Sequence, residues 1–182
     1  MPDAHIIGLG HYVPENIVSN KDLSKLMDTS DKWIVDRTGI EERRFANPNE
    51  APSDLAIPAA NEAIKKANIK KEDIDFIVFA TSTPDYYVPG SSCMFQEKMK
   101  LDNIGALDIR VQCSGFIYGV SIAEQYIKTG RFNNILVIGA EVQSTAMDLT
   151  TKGRDTAIIF ADGSGAAIVS STETGGKILS TH

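Results

Sequence analysis

Apolar and polar positions alternate in blocks along the chain. His5 to Leu9 is a short apolar run that ends in Gly8-Leu9-Gly10 and a Pro14 loop, which predicts a strand and its exit. Ser19-Asn20 is good N-cap chemistry for a short helix over Lys21 to Met27. Ser30 to Arg37 predicts a second short helix, stopped by Thr38-Gly39. In Asp54 to Ala67 the residues Leu55, Ala59, Ala63 and Ala67 share one stripe of a longer helix. Ser53 is its expected cap, and Pro58 falls within its first turns, where proline costs least.

Phe76-Ile-Val-Phe-Ala80 is continuously apolar, as a strand covered on both faces would be. A helix over Ser91 to Lys100, a strand over Ala106 to Ile109 and a helix over Ser114 to Lys128 follow, with Gly130 as the stop. Ile135 to Ile138 is the next buried strand. Thr156 to Phe160 and Ala166 to Ser170 flank Asp162-Gly163-Ser164-Gly165, a hairpin signal. Ile178 to Thr181 predicts one more strand, still in progress where the sequence stops at His182. The order is roughly β-α-β-α-β-α-β-β-β. Such alternation predicts an α/β fold with a mixed, mostly parallel sheet and helices on both faces.

Composition narrows the function classes. The chain has 182 residues, 18 Lys plus Arg against 24 Asp plus Glu, and a net charge of −6. That acid excess argues against bulk nucleic-acid or anionic-membrane binding, which wants a basic face. No apolar run approaches ~18 residues, so no membrane-spanning helix is expected. Two cysteines, Cys93 and Cys113, make no disulfide framework, and a cytoplasmic setting is expected. They also lack metal-ligand spacing, so no metal site is expected.

Cys113 is the sharpest chemical feature. It lies between the strand ending near Ile109 and the helix beginning near Ser114. At a helix N-terminus, free backbone N–H groups and the helix dipole favour a thiolate, the nucleophilic form of the side chain. The alternative is a buried cysteine that packs as a small hydrophobe. Cys93, within Ser91-Ser92-Cys93-Met94-Phe95, is expected in the core. None of the three histidines, His5, His11 and His182, sits near Cys113 in the sequence. Trp33 and Arg37 are four apart and share a helix face, where indole and guanidinium together can hold an aromatic base. The alternative is a core Trp33 and a solvated Arg37. Gly8-Leu9-Gly10 lacks the third glycine of a dinucleotide fingerprint, and Asp162-Gly163-Ser164-Gly165 lacks the Lys-Ser/Thr ending of a phosphate loop.

Several motifs now converge. Thr29-Ser30-Asp31, Trp33-Ile34-Val35, Arg37-Thr38-Gly39-Ile40, Ala80-Thr81-Ser82-Thr83-Pro84-Asp85-Tyr86, Cys113-Ser-Gly-Phe116, Gly139-Ala140-Glu141 and Phe160-Ala161-Asp162-Gly163-Ser164-Gly165-Ala166 resemble the β-ketoacyl-acyl-carrier-protein synthase III family. The resemblance runs through the whole chain in order. It implies a thiolase-like fold, five αβαβα layers when complete, of which residues 1–182 would be the N-terminal half-domain. The C-terminal half would then be missing from this chain. The family's catalytic His and Asn would lie in it, and His182 would belong to the strand joining the halves.

The resemblance implies that Cys113 accepts the acyl group. It implies that Thr29, Trp33, Arg37 and Arg154 surround the nucleotide of coenzyme A. Val88 stands where many relatives carry an aromatic residue before a proline, at an acyl pocket shared across a dimer interface. A smaller side chain there leaves room for primers longer than acetyl. The implied activity takes an acyl group from acyl-coenzyme A onto cysteine. It then condenses that group with malonyl-acyl carrier protein by decarboxylative Claisen chemistry, initiating fatty-acid synthesis. No metal or redox cofactor is implied, and a homodimer is. The alternatives are a secondary-metabolite synthase of the same branch and a non-catalytic half-length remnant that binds coenzyme A or pairs with a partner.

Overall fold

The computed structural model describes residues 2–101 and 104–181. His182, expected in a strand joining two halves, lies outside them. The elements run β1 (His5–Tyr12), β2 (Asn16–Ser19), α1 (Asn20–Leu23), α2 (Asp31–Thr38), β3 (Glu42–Phe45), α3 (Pro52–Ala67), β4 (Phe76–Ala80), α4 (Ser91–Met99), β5 (Gly105–Ile109), α5 (Gly115–Lys128), β6 (Asn134–Val142), α6 (Arg154–Ala157), β7 (Asp162–Ser170) and β8 (Gly176–Lys177). Among the described residues no helix is long and apolar enough to cross a membrane.

The main sheet has the order β5-β4-β6-β7-β1-β8, and β2 and β3 form a separate antiparallel pair. β4 is parallel to both β5 and β6, while β7 is antiparallel to β6 and β1, and β8 to β1. Four strands therefore share a direction, as expected. Yet β7 is inserted against that direction, so antiparallel pairings outnumber parallel ones in this mixed sheet.

Side chains of successive strand residues point to opposite faces. Ile77, Phe79, Leu136, Ile138 and Ile168 pack under α3 and α4. Val78, Ile135, Val137 and Val169 pack against Val120, Ala123 and Ile127 of α5. The expected stripe of α3 faces the first core, and Gly8 and Gly10 explain how closely it lies. A Cβ at Gly10 would stand 2.0 Å from the Ala59 carbonyl oxygen, and one at Gly8 2.2 Å from that of Ala63. These glycines serve helix–strand contact. A third, smaller core joins Leu23, Met27 and Ile34 to Ala157 and Ile158.

Several expectations need correction. The hairpin at Asp162-Gly163-Ser164-Gly165 does not form: these residues are the first half of β7, all paired with β6, and Ser164 and Gly165 also with β1. Pairing within a central position overrides local turn preference. Thr156 to Phe160 is not a strand, because α6 and the turn after it feed Ala157 and Ile158 into the third core. β8 stops at Lys177, so Ile178 to Thr181 is not a strand. The first helix ends at Leu23, although Ser19 caps it as expected. Ser53 does not cap α3. Ala51 is the N-cap and Pro52 the first helical residue, and the Ser53 hydroxyl donates to Asp85 Oδ2 at 2.5 Å. The earlier start also places Pro58 in the helix interior rather than its first turns. Cys93 is exposed on α4, not in the core.

Candidate active site and nucleotide clamp

Cys113 stands on a single 3₁₀ turn, Gln112–Ser114, between β5 and α5. The turn is tied down locally: Ser114 Oγ donates to Val111 O at 2.8 Å. Gln112, directly before the cysteine, has φ +48°, in the left-handed region. A non-glycine residue there stores strain of about 1–3 kcal/mol, and such residues cluster at functional sites. Cys113 is exposed and lines a cavity of about 490 Å³. That is the size of a small-molecule site. Phe116, Gly139, Ala140 and Phe160 give it an apolar wall.

One charged side chain lines the cavity, Glu141. Its Oε1 accepts from Ser82 N at 2.7 Å and Ser82 Oγ at 2.8 Å, and its Oε2 accepts from Thr83 Oγ1 at 2.6 Å. Gln143 Nε2 donates to it as well, at 3.3 Å. The carboxylate fastens the segment after β4 to the end of β6, beside the cysteine. Gly139-Ala140-Glu141 was visible in the sequence as a motif. An acid inside an apolar strand run was the signal for this role, which sequence reasoning missed along with the strain at Gln112.

The second site is built on α2 and α6. Ser30 caps α2 by accepting from Trp33 N at 3.1 Å, and Gly39 ends it at φ +70°. That frame sets Trp33, half-buried, beside Arg37 as the spacing predicted. The Arg37 guanidinium carbon lies 4.0 Å from the Trp33 ring centre, and that of Arg154 lies 4.3 Å from it. Arg154 is held by donating Nη1–H to Asp28 O at 2.8 Å. These residues, with Ile158 and Ile159, line a second cavity of about 360 Å³. Thr29 lies in the loop before α2, and its Oγ1 is buried without a hydrogen-bond partner. Trp33 packs one side against the third core while two cations rest on its ring, and Arg37 stays exposed, so the core and clamp readings of this pair both keep support.

One segment serves both cavities. Arg154, Ile158 and Ile159 line the clamp, and the next two residues, Phe160 and Ala161, line the Cys113 cavity. Val88 is not among the lining residues of either; it is 89 % exposed, beside exposed Tyr86 and Tyr87. His5 and His11 lie on β1 and line neither cavity.

A cysteine on a strained turn between the edge strand β5 and a packed helix, beside this mixed sheet, matches half of a thiolase-like condensing-enzyme fold. The 3-oxoacyl-[acyl-carrier-protein] synthase III from Aquifex aeolicus superposes with a TM-score of 0.89 at 45 % identity, covering 94 % of this chain and 55 % of that one. The priming β-ketosynthase of the R1128 polyketide pathway gives 0.89 at 31 % identity, covering 97 % and 53 %. The family model described as 3-oxoacyl-[acyl-carrier-protein] synthase III matches residues 107–182. A β-ketoacyl-[acyl-carrier-protein] synthase III of Caldanaerobacter subterraneus is 49 % identical over 179 residues, 98 % of this chain and 54 % of that protein. The chain is thus similar, over nearly its whole length, to β-ketoacyl-acyl-carrier-protein synthase III proteins. It spans about half the length of the curated relatives it matches.

Proposed function

We propose that this chain carries the acyl-accepting half of a condensing acyltransferase that initiates fatty-acid synthesis. One observation supports this reading above others. A single short segment joins the cavity of an exposed cysteine to an arginine–tryptophan clamp. A coenzyme A thioester has that layout, with an anionic aromatic nucleotide at one end and a reactive carbonyl at the other.

In the proposed reaction the adenine stacks at Trp33, with Thr29 beside it and the phosphates facing Arg37 and Arg154. A base between ring and guanidinium needs van der Waals distance on both sides, roughly 7 Å in all. Arg154, at 4.3 Å, therefore moves outward as the base enters. The Cys113 thiolate attacks the thioester carbonyl, the tetrahedral intermediate collapses, and coenzyme A leaves as its thiol. Backbone N–H groups on the Gln112–Ser114 turn would donate to the oxyanion. The acyl-enzyme then receives the carbanion formed when malonyl-acyl carrier protein loses carbon dioxide. The His and Asn for that step would come from sequence outside this chain, in a C-terminal half.

Val88 acts, on this reading, through a second copy of the chain, since it stands away from its own cavity. Its size favours acyl groups longer than acetyl. The test is to incubate the chain with acyl-coenzyme A of increasing length and locate the adduct by peptide mass spectrometry. Acylation of Cys113, extending beyond acetyl, is expected. An unmodified Cys113 with every thioester refutes the function. A strict acetyl preference refutes only the role of Val88.

A further inference from the structure

Arg43 is a charged residue in a place that charge does not favour. It lies on β3 with 4 % of its surface exposed, and burial pushes its guanidinium down from the ordinary arginine range. Among the described residues no carboxylate lies within salt-bridge distance of it. Its partners are neutral oxygens. Nη1 donates to Val18 O at 3.2 Å, and Nη2 donates to Asn20 Oδ1 at 2.8 Å and to Ile158 O at 3.3 Å, while Nε has no partner. Burying an unpaired cation costs several kcal/mol, so its retention asks for a reason.

The reason lies in what those oxygens belong to. Ile158 is in the α6 segment that carries Arg154 and lines the clamp. Asn20 is fully buried, and its Nδ2 donates to Asp31 Oδ1 at 2.9 Å and to Ile40 O at 2.7 Å. Asp31 is the first residue of α2 and Ile40 follows its end, so Asn20 grips both ends of the helix that carries Trp33 and Arg37. The path Ile158–Arg43–Asn20–α2 is therefore a buried polar strut between the two walls of the clamp. Apolar packing in the third core sets those walls side by side, but it is non-directional. The fork of a guanidinium fixes their spacing.

We infer that Arg43 is a positioning residue for nucleotide recognition: it holds Arg154 in register with Trp33, and its uncompensated charge lies directly behind the wall that faces the anion. This rests on the nucleotide reading of the clamp given above.

Trp33 is the only tryptophan, so its fluorescence reports the clamp directly. The experiment titrates the chain with 3′,5′-adenosine diphosphate, the nucleotide of coenzyme A, using wild type, Arg43→Met and Arg43→Lys, each checked for folding by circular dichroism. In parallel, the alkylation rate of Cys113 by iodoacetamide is followed by peptide mass spectrometry. Wild type is expected to show saturable quenching. Arg43→Met should weaken it by about tenfold or more, the usual cost of losing charged hydrogen bonds. Arg43→Lys, which keeps the charge but not the fork, should lose an intermediate factor of three or more. Cys113 alkylation should stay within twofold in both. If Arg43→Met does not fold, Arg43→Lys alone decides. Affinity within twofold of wild type in the folded variants overturns the positioning role while leaving the clamp intact. An equal loss in quenching and in Cys113 alkylation reduces Arg43 to general scaffolding and also overturns it. No quenching of the wild-type chain removes the nucleotide reading itself, and this inference with it.

Discussion

The two cavities are neighbours in the fold but are held by different physics. The Cys113 cavity is framed by the ends of β4, β5 and β6 and by α5, all anchored in apolar cores on the two faces of one sheet. The clamp stands on helices of four and eight residues, a small third core and a buried polar strut. Close packing is hard to perturb by changing one polar group, whereas a hydrogen-bonded strut fails when one member goes. Cys113 is thus placed mainly by backbone, and the Trp33–Arg37–Arg154 cluster by side chains. Each substitution below should damage one region and spare the other.

The largest effect belongs to Cys113→Ala. Acyl transfer from radiolabelled acyl-coenzyme A should fall to background, because Cys113 is the only thiol among the described residues that line the cavity. The side chain is small and exposed, so the melting temperature should barely move. Tryptophan quenching by the nucleotide should be unchanged. Residual labelling at another residue would place the chemistry elsewhere.

Gly115→Val attacks the backbone placement. A Cβ at Gly115 would lie 2.9 Å from the Ala80 Cβ, where α5 begins against β4. Forcing a branched side chain there costs about 2–3 kcal/mol in stability. The start of α5 must shift, and the cysteine turn just before it shifts too. Denaturant unfolding should show the loss, and acylation of Cys113 should fall about tenfold, while nucleotide quenching stays within twofold. Equal damage at the clamp would show that the regions are not separable.

Trp33→Ala is the reciprocal change. Base stacking is worth about 1–3 kcal/mol, so calorimetry should show nucleotide affinity reduced roughly tenfold or more. Iodoacetamide should reach Cys113 at the wild-type rate. Trp33 is half-buried beside the third core, so a modest drop in stability is expected as well.

The same contrast explains what could be read from the sequence. Phe76 to Ala80, α2, α3 and α5 were legible because apolar periodicity and capping residues are local signals. The Trp33–Arg37 pair was legible because both lie on one helix. Arg154 reaches the same indole from far along the chain, so only the family resemblance brought it in. Arg43 sits in a run, Glu41-Glu42-Arg43-Arg44, that looks like solvated charge. Its burial depends on β2 and β3 pairing, and neither four-residue strand was legible. The glycine-rich start of β7 looked like a turn because its strand character comes from two neighbours, not from its own residues.

Acid should separate the regions by a smaller margin. Glu124 on α5 is 1 % exposed, and its carboxylate is engaged by Lys128 Nζ at 2.6 Å and by Thr181 Oγ1 at 2.7 Å. The Lys128 hydrogen bond, opposed by burial and aided by Thr181, holds its carboxyl below the ordinary glutamate value of 4.5. A depressed folded-state value means that the contribution is fully present above the unfolded value and is lost as pH falls through the folded one. α5 and the segment after Ser170 that leads to Thr181 should therefore loosen as pH falls below the ordinary glutamate value. Asp22 on α1 and Asp148 are also depressed, by Lys25 and by Thr150 respectively, but Asp22 is only half-buried and Asp148 is exposed, so solvent screens their contribution. On acidification, mixed-disulfide formation at Cys113 with an acid-tolerant pyridyl disulfide, read by the released thiopyridone, should then change before Trp33 fluorescence does. Glu124→Gln should lower stability at neutral pH and flatten its acid limb, bringing the two transitions together. Coincident transitions in the wild-type chain would mean that one cooperative unit spans both cavities.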